Sequence, residues 1–315
     1  MLDTDGVWGK VNVGILFSET LEWDAEEIAH LARFDHLYAG STWNQKILDA
    51  KGREFGVELK VGVFKQGVEP ELWAGGEEGE EEEEEEEEEG HFVIFSGGKL
   101  EPRKGQDILI AAFRIFQKMH GNARLVFAWQ NDWPETVKGM GSRGLVEGEP
   151  EWDGGVGGLK IVEWLGANGI DTSKVTDLGR PGQSEMAGVL RRADVAVFTN
   201  RCEGGTNLIA MESLATGVCT ILSSNTGHLD LVEKVCKAGN EGAAGCLVLE
   251  DQKEGANGWW ESSVEEVVKK LEEVYGDKER GRRGEIGRRG KDRIWSWGVQ
   301  IDKIVDEIES CSVGL

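Results

Sequence analysis

The sequence has no long apolar run, few cysteines and no surplus of basic residues. Among its 315 residues, no apolar stretch approaches the roughly 20 residues that a membrane-spanning helix needs. The first residues form neither a basic nor an apolar leader, so we expect no secretory signal. The chain is therefore expected to be cytoplasmic and to have no transmembrane segment, while peripheral contact with a membrane stays open.

The cysteines are scattered and odd in number. They are Cys202, Cys219, Cys236, Cys246 and Cys311. No Cys-x-x-Cys pair and no cluster of histidine and cysteine occurs, which argues against a zinc site. Free thiols in a reducing compartment are the expected state.

Acidic residues dominate the charge. The chain has 35 lysines and arginines against 59 aspartates and glutamates, a formal net charge of −24. Glu77, Glu78 and the run Glu80–Glu89 contribute twelve of these charges, and without them the net charge would be −12. An overall basic surface for nucleic acid is absent, so no nucleic-acid partner is expected. The basic stretch 278–293 is interpreted as a solvated helical face.

Composition divides the chain into four regions. They are a partial N-terminal α/β domain over 1–72, an acidic low-complexity linker over 73–90, a larger α/β domain over 91–292 and a C-terminal amphipathic helix over 293–315. Ten consecutive glutamates repel one another and have no apolar face to bury, so we expect the linker to be disordered. The helix is expected to pack back toward the N-terminal domain.

Strand-like and helix-like segments alternate in both α/β regions. Strands are expected at 11–17, 36–41 and 57–64 in the first region, and at 92–96, 125–129, 194–199, 218–223 and 244–249 in the third. This rhythm is typical of parallel sheets, and in the third region of a doubly wound sheet. Ser263 and Glu266 predict a capping box at the start of a late helix. The glycine-rich segment 139–158 is interpreted as a surface loop.

One segment, Arg201–Glu212, carries the most chemical information. A strand-like run precedes it, and the segment itself contains a glutamate, a glycine pair and the start of a helix with a second glutamate. A strand, a glycine turn and a helix N-terminus together point backbone N–H groups at an anion. Two carboxylates beside such a site are suited to accept hydrogen bonds from sugar hydroxyls. Phosphate and hydroxyl recognition in one place predict a nucleotide-sugar site.

Three segments resemble motifs of the retaining family 4 glycosyltransferases, which have the GT-B fold. Segment 201–212 resembles the family's E-x7-E signature, segment 96–107 resembles G-R-L-x-x-x-K-G, and segment 223–230 lies where the family has a glycine loop near the donor. The resemblance implies a GT-B type fold, with a doubly wound parallel-sheet donor domain and a partial N-terminal α/β domain. Segments 38–44 and 66–73 resemble only the last part of the family's N-terminal domain.

The resemblance also assigns candidate site residues. Lys99, Lys104 and Glu203 are the expected catalytic residues, with the lysines stabilising charge on the departing diphosphate and Glu203 contacting the donor sugar. Glu212 is expected to bind the ribose hydroxyls. The expected donor-binding residues are Gly97, Gly98, Arg103, Gly204, Gly205, Thr206, Asn207, Leu208, Glu212, Gly227 and His228.

The chain departs from the family's motifs at two positions. Lys99 stands where the family has arginine, which keeps the charge and loses the bidentate fork. Eight residues, not seven, separate Glu203 from Glu212. The extra residue is expected in the glycine turn, because one inserted in the helix would rotate Glu212 by about 100°.

Two residues of the third segment have alternative interpretations. His228 either touches the donor or acceptor, or is a polar surface residue. Asp230 resembles an acidic residue of the family's loop, and it has an equally good explanation as the N-cap of a helix over 231–237.

The sequence thus predicts a glycosyltransferase that moves a hexose-type sugar from a nucleotide-diphosphate sugar to an unknown acceptor. By resemblance the reaction retains configuration and needs neither a metal nor a cofactor besides the donor. An inactive fragment that binds nucleotide-sugars is the main alternative, and another GT-B enzyme such as a sugar-nucleotide epimerase is a second. The sugar, the base and the acceptor are not legible in the sequence.

Overall fold

A computed structural model describes residues 9–73, 90–154, 158–236, 244–277 and 281–312 of the chain. Two parallel sheets organise these residues, one of three strands and one of six. The predicted mixed α/β class is confirmed. The glutamate run predicted to be disordered lies outside the described residues, so its state stays a prediction. None of the helices within the described ranges is long and apolar enough to cross a membrane.

The first unit has the predicted βαβαβ order. Its elements are β1 (Val13–Leu16), α1 (Ala25–Leu31), β2 (His36–Ala39), α2 (Thr42–Phe55), β3 (Val61–Val63) and the short α3 (Pro70–Trp73). The strands pair in parallel in the order β1-β2-β3. Helix α1 begins with a reciprocal capping box between Asp24 and Glu27. Ser41 is the N-cap of helix α2, where its hydroxyl accepts from the Asn44 N–H, and Gly56 is the C-cap, in the left-handed conformation that favours glycine.

The second unit contains the larger sheet. Its elements are β4 (Phe92–Gly97), α4 (Gln106–Met119), β5 (Ala123–Ala128), α5 (Ile161–Ala167), β6 (Val175–Asp177), α6 (Gln183–Arg192), β7 (Val195–Phe198), α7 (Leu208–Thr216), β8 (Thr220–Ser223), α8 (His228–Leu231), β9 (Leu247–Leu249), the hairpin β10 (Gln252–Glu254) and β11 (Trp260–Ser262), α9 (Val264–Tyr275), α10 (Gly281–Arg293) and α11 (Trp297–Ser312).

The strand order of this sheet decides where a ligand can bind. The order is β6-β5-β4-β7-β8-β9, with every neighbouring pair parallel. The chain reverses direction across the sheet between β4 and β7. In open parallel sheets a crevice forms at such a reversal, outside the carboxyl ends of the strands. The loops that follow β4 and β7 border this crevice.

The capping box predicted at α9 forms only in part. The Ser263 hydroxyl accepts a hydrogen bond from the Glu266 N–H. The Glu266 carboxylate does not return to Ser263, because it accepts from the N–H groups of Glu250 and Asp251 instead. It thereby connects α9 to the end of β9, a use that only the tertiary fold makes available.

The glycine-rich segment 139–158 is more than a surface loop. Met140 and Val146 are buried in the main core of the sheet, together with Val137 and Leu159 on either side. Apolar anchors therefore fix the loop, although its remaining residues lie mostly at the surface.

The amphipathic helix predicted from residue 293 onward is α11, which a short break separates from α10. α10 ends at Arg293, and α11 begins at Trp297. The intervening chain pairs with Val68 of the first unit. Ile304 of α11 packs with Tyr38 and Phe64, on the first sheet and just after it.

The basic residues of α10 are not simply a solvated face. Arg283 forms an ion pair with Asp194 at 2.8 Å. Arg289 donates to the carbonyl of Ala244 at 3.0 Å, and Arg293 donates to that of Val235 at 2.8 Å. These arginines attach α10 to neighbouring segments of the second unit.

Glycines at every third position bring α10 close to the domain. A Cβ at Gly287 would collide with the carbonyl oxygen of Gly217, and one at Gly290 would lie 2.6 Å from the carbonyl oxygen of Gly245. At Gly284, one turn earlier, a Cβ would meet nothing within 4 Å among the described atoms. Successive turns along one face of the helix thus differ in whether glycine is required.

We expect Gly287→Ala to lower the free energy of unfolding by about 1–3 kcal/mol, because the methyl group overpacks a rigid backbone contact. Gly284→Ala is the matched control, and it is expected to leave stability unchanged or raise it by about 0.5–1 kcal/mol through helix propensity. Denaturant unfolding of both variants measures the difference, and equal stability of the two would contradict the packing of α10.

The cysteines do not all stay free thiols, which corrects the expectation from the sequence. The structure joins Cys236 and Cys246 in a disulfide, with 5.2 Å between their Cα atoms. Cys202 and Cys219 are buried and lie outside any disulfide. The bonded pair is brought together because β9 returns beside the helical segment that ends at Cys236, a proximity that cysteine spacing does not reveal.

Candidate active site

The loops after β4 and β7 meet at the crevice between these strands. The Gln106 side-chain amide donates to the carbonyls of Gly98 and Lys99, at 3.2 and 2.8 Å, and so shapes the first loop. Gly105, at φ +69°, ends this loop and packs on the loop after β7. A Cβ on Gly105 would collide with the Thr199 carbonyl. The backbone N–H of Arg201 then donates to the Arg103 carbonyl at 2.7 Å. The two predicted motifs are thus in direct contact.

An ion-pair cluster lies where the loops touch. Lys104 Nζ is 2.5 Å from Glu203 Oε1, and Arg103 Nη1 is 3.3 Å from Glu203 Oε2. The Asn200 amide also donates to Glu203 Oε1. Arg103 Nε binds Glu101 at 2.7 Å. Three of the predicted site residues, Arg103, Lys104 and Glu203, are therefore brought together.

The environment of Glu203 keeps it ionised. Its side chain is only 6 % exposed. Burial opposes ionisation, but Lys104 and Arg103 outweigh it and hold the pKa of the Glu203 carboxyl below its ordinary value. An anionic Glu203 holds the two cations in fixed positions, and a contact of Glu203 with the donor sugar stays a prediction.

A buried ion pair behind the cluster is not identifiable from the sequence alone. Arg201 and Asp107 form two parallel hydrogen bonds, of 2.7 and 2.8 Å, and both side chains are almost fully buried. Arg201 also donates to the Pro102 carbonyl at 2.7 Å. The pair connects the loop after β7 to the first turn of α4. An arginine just after a buried strand and an aspartate in the first turn of an apolar helix are the only signals of it in the sequence.

The glycine turn lies under the first unit of the chain. A Cβ at Gly204 would lie 2.7 Å from the backbone of Ser18, and one at Gly205 would lie 2.7 Å from the Phe17 ring. The Ser41 hydroxyl donates to the Gly204 carbonyl at 2.8 Å. In this conformation the glycine pair permits close contact between the two units. Its predicted contact with phosphate stays a prediction.

His228 is fully buried, so its interpretation as a polar surface residue is wrong. Its Nδ1 lies 2.9 Å from Ser223 Oγ, and its Nε2 lies 3.0 Å from the Asn207 amide nitrogen. The Ser223 hydroxyl already donates to the Asn200 carbonyl, so Nδ1 is the nitrogen that carries the proton. Burial lowers the pKa of His228 to about 4. A neutral imidazole therefore joins the turn before α7 to the start of α8.

Neighbours of His228 complete this buried turn. Asn207 has φ +63°, an uncommon value outside glycine. The Thr206 hydroxyl binds Met211 Sδ. Gly227 donates its N–H to the Glu203 carbonyl at 2.9 Å, and a Cβ on Gly227 would collide with the carbonyl of Gly205.

Asp230 does not serve as an N-cap, because the residue before α8 is Gly227. Its carboxylate accepts from the Thr42 N–H at 2.9 Å and from the Thr42 hydroxyl at 2.5 Å. Lys65 lies 3.6 Å away. Asp230 therefore connects the second unit to the start of α2 in the first unit.

The remaining predicted residues lie at the end of β4, on the loop that follows it and at the start of α7. A Cβ on Gly97 would lie 2.6 Å from Ile209 Cγ1, and one on Gly98 would lie 3.9 Å from Lys104. Leu208, the first residue of α7, is 39 % exposed. Lys99 is exposed, and its Nζ lies 4.1 Å from the centre of the Trp133 ring. The structure does not bring Lys99 into the Lys104 cluster.

Glu212 is a further predicted residue and lies on α7. Because α7 begins at Leu208, residues 203–207 form the turn and Glu212 lies on regular helix. Within the described residues its half-buried carboxylate has no hydrogen-bond or ion-pair partner. Burial raises the pKa of Glu212 to about 7. A carboxylate in this state is available to a ligand that donates hydrogen bonds.

Metal binding and catalysis by a cysteine nucleophile have less support in this part of the molecule. Within the described ranges, no group of three or more His, Cys, Asp and Glu side chains could hold a metal ion. Burial raises the pKa of the Cys202 thiol, next to Glu203, to about 12. A thiol with such a pKa is a poor nucleophile at neutral pH.

Comparison with protein families gives one match. The model described as GT4-conflict, "Family 4 Glycosyltransferase in conflict systems", matches residues 53–297. This range includes both loops of the crevice and all the candidate residues. No curated protein matches the sequence.

Solved structures with a similar fold include several glycosyltransferases. Sucrose-phosphate synthase from Thermosynechococcus elongatus is 14 % identical, with a TM-score of 0.66 over 96 % of this chain and 68 % of its own. Trehalose 6-phosphate synthase from Burkholderia multivorans is 17 % identical, with a TM-score of 0.65 over 97 % and 68 %. Anabaena HepE, solved with UDP-glucose, is 12 % identical, with a TM-score of 0.64 over 95 % and 72 %. At these identities the similarity concerns the fold, and the predicted GT-B type is confirmed.

Proposed function

We propose that this chain transfers a hexose-type sugar from a nucleotide-diphosphate sugar to an acceptor. The chain belongs to the family 4 glycosyltransferases of conflict systems, since the family match spans more than three quarters of the sequence. In this proposal the reaction proceeds with retention of configuration. The protein's own cations, not a bound metal, stabilise the departing diphosphate.

The observation that supports this proposal best is the cluster at the strand reversal. Lys104 lies 2.5 Å from Glu203 at the mouth of the crevice, and Arg103 lies on the same carboxylate. Negative charge develops on the diphosphate as its bond to the sugar breaks. Cations already held in position stabilise that charge without reorganising.

Each accessible group has a role in the proposal. Lys104 and Arg103 contact the diphosphate, and Glu203 keeps them in place. Glu212 accepts hydrogen bonds from the ribose hydroxyls, which is why its lack of a partner among the described residues is informative. Gly97 and Gly98 allow the donor to approach the backbone closely, and Lys99 contributes further positive charge at the rim.

UDP-glucose is the first donor to test. HepE was solved with UDP-glucose, and a trehalose-phosphate synthase of Burkholderia xenovorans is described as UDP-forming. Both share this fold at low identity. We therefore propose that the present chain also uses a UDP-sugar. The acceptor is not identified.

Calorimetry with UDP, GDP and ADP tests the donor site. We expect saturable binding of one nucleotide, and the assay is then repeated with its glucose conjugate while nucleotide release is followed, with water taking the glucose in place of the unknown acceptor. Binding together with release supports the transferase. Binding without release favours the alternative, a protein that binds nucleotide-sugars and does not transfer them. If none of the three nucleotides binds to well-folded protein, the proposed function is wrong.

The proposed role of Glu212 predicts a pH dependence. The ribose hydroxyls need an ionised carboxylate, and the pKa of Glu212 is raised to about 7. Nucleotide affinity is therefore expected to fall as the pH drops below 7, by up to about tenfold per pH unit.

The comparison between wild type and Glu212→Gln isolates this effect. Glutamine cannot ionise, so titration of the nucleotide itself is the same for both proteins and cancels. The affinity ratio of wild type to variant should be larger at pH 8 than at pH 6. A constant ratio would exclude the ribose contact.

A further inference from the structure

Glu19 belongs to the first unit, yet it faces the ion-pair cluster of the second. It lies in the loop between β1 and α1, and its Oε1 is 3.6 Å from Arg103 Nη1. The same guanidinium nitrogen lies 3.3 Å from Glu203. Glu19 thus approaches the proposed phosphate-binding cations from the opposite side of the contact between the units.

Contacts from the second unit fix the backbone at Glu19. The Trp259 indole N–H donates to the Glu19 carbonyl at 2.9 Å, and the Cys202 thiol lies 3.6 Å from the same oxygen. The side chain is less constrained, since 35 % of it is exposed. The loop is therefore held beside the cluster while the carboxylate itself can move.

Negative charge exceeds positive charge in this cluster. Three carboxylates, Glu19, Glu101 and Glu203, surround the two cations Arg103 and Lys104. A diphosphate adds more negative charge at the same cations. One carboxylate must then release its cation or take up a proton, because like charges at this range repel.

Of the three carboxylates, Glu19 loses the least interaction energy when it releases its cation. Glu101 binds Arg103 at 2.7 Å, and Glu203 binds Lys104 at 2.5 Å. Among the described residues, the Glu19 carboxylate has no hydrogen bond and only the one long ion pair. Burial raises the pKa of Glu19, as do the charges of Glu203 and Glu101, while Arg103 and Lys104 oppose the change.

We propose that Glu19 controls access to the phosphate site: its carboxylate neutralises Arg103 when no donor is bound and yields Arg103 to the donor's diphosphate. This inference rests on the proposed function, and it adds a residue that competes with the substrate. A residue that competes with the donor weakens donor binding, whereas a residue that contacts the donor strengthens it. Its removal strengthens binding of the diphosphate.

Glu19→Gln tests the proposal, and Glu22→Gln is the matched control, because Glu22 lies on the same loop and is exposed. Calorimetry uses whichever of UDP, GDP and ADP binds wild type. At pH 8 we expect Glu19→Gln to lower the Kd about threefold to fivefold. Glu22→Gln should stay within about twofold of wild type. The gain should shrink as the pH is lowered, because burial raises the pKa of Glu19 and the wild-type carboxylate then takes up a proton more readily.

The outcomes separate this inference from the proposed function. Wild-type binding together with an unchanged or raised Kd in Glu19→Gln overturns the role of Glu19 and leaves the donor site intact. That role is also overturned if Glu22→Gln tightens binding equally, since the effect would then be one of net charge. Absence of binding to the wild type overturns both. Thermal unfolding of each variant confirms that the compared proteins are folded.

Discussion

Replacing Asp107 by alanine is expected to lower the free energy of unfolding by about 3–5 kcal/mol, the cost of leaving one member of a buried ion pair without its partner. Arg201 is 1 % exposed and Asp107 is fully buried, so water cannot solvate the remaining guanidinium. Glu261, at 3.0 Å from Arg201 Nε, compensates only in part because 43 % of its side chain is exposed. Denaturant unfolding of the variant gives the number.

Two further variants make this result specific. Asp132→Ala breaks the exposed ion pair with Arg180, whose side chains are 65 % and 52 % exposed, and should cost less than about 1 kcal/mol. The double variant Asp107→Leu with Arg201→Met replaces the buried pair by apolar groups and should recover most of the loss. If Asp107→Ala is no more costly than Asp132→Ala, the buried pair does not hold the two loops together.

Replacing Lys104 by alanine is expected to weaken nucleotide binding about 10- to 100-fold, the usual effect of removing a charge-assisted hydrogen bond. Lys104 is the cation closest to Glu203, and its side chain is 12 % exposed. Glu203 keeps Arg103 and Asn200 as partners after the change, so the fold should persist. Calorimetry with the nucleotide that binds wild type measures the loss.

Lys118→Ala is the control for this experiment. Lys118 is exposed near the end of α4, the helix that begins two residues after Lys104. It should leave the Kd within about twofold of wild type, because an exposed charge far from the ligand is screened by salt. Equal losses in both variants would point to a general charge effect and remove Lys104 from the phosphate site.

Much of the fold is legible in the sequence because it rests on local regularities. The apolar runs around Val195–Phe198 and Phe92–Ser96 predict buried strands, and the apolar face of 106–120 predicts α4 with nearly its observed bounds. The glycine turn before Leu208 likewise marks the start of α7. Local sequence patterns do not predict a helix boundary that depends on contacts with distant parts of the chain. The break between α10 and α11 follows the pairing of Ser296 with Val68.

The candidate site is legible to a lesser degree. The sequence points to Arg103, Lys104 and Glu203 individually, and only the strand order places them together, since β4 and β7 are adjacent although β5 and β6 lie between them in the chain. Asp107 and Arg201 are 94 positions apart, and no local pattern pairs them. The sequence cannot reveal the burial of His228, because burial depends on what packs over it. The local sequence around Asp230 predicts a helix cap. It cannot reveal the actual partner, because Thr42 belongs to the other unit.

The alternation of strands and helices, the acidic charge and the chemical character of the two loops can be read from the amino-acid order without a structure. These depend on side-chain periodicity, on composition and on backbone preferences within a few residues. Four features arise only when the chain is folded: the burial of His228, the Arg201–Asp107 pair, the Cys236–Cys246 bond and the approach of Glu19 to Arg103. Each of these joins groups that are close only because the sheets and helices pack, and packing is a property of the whole chain.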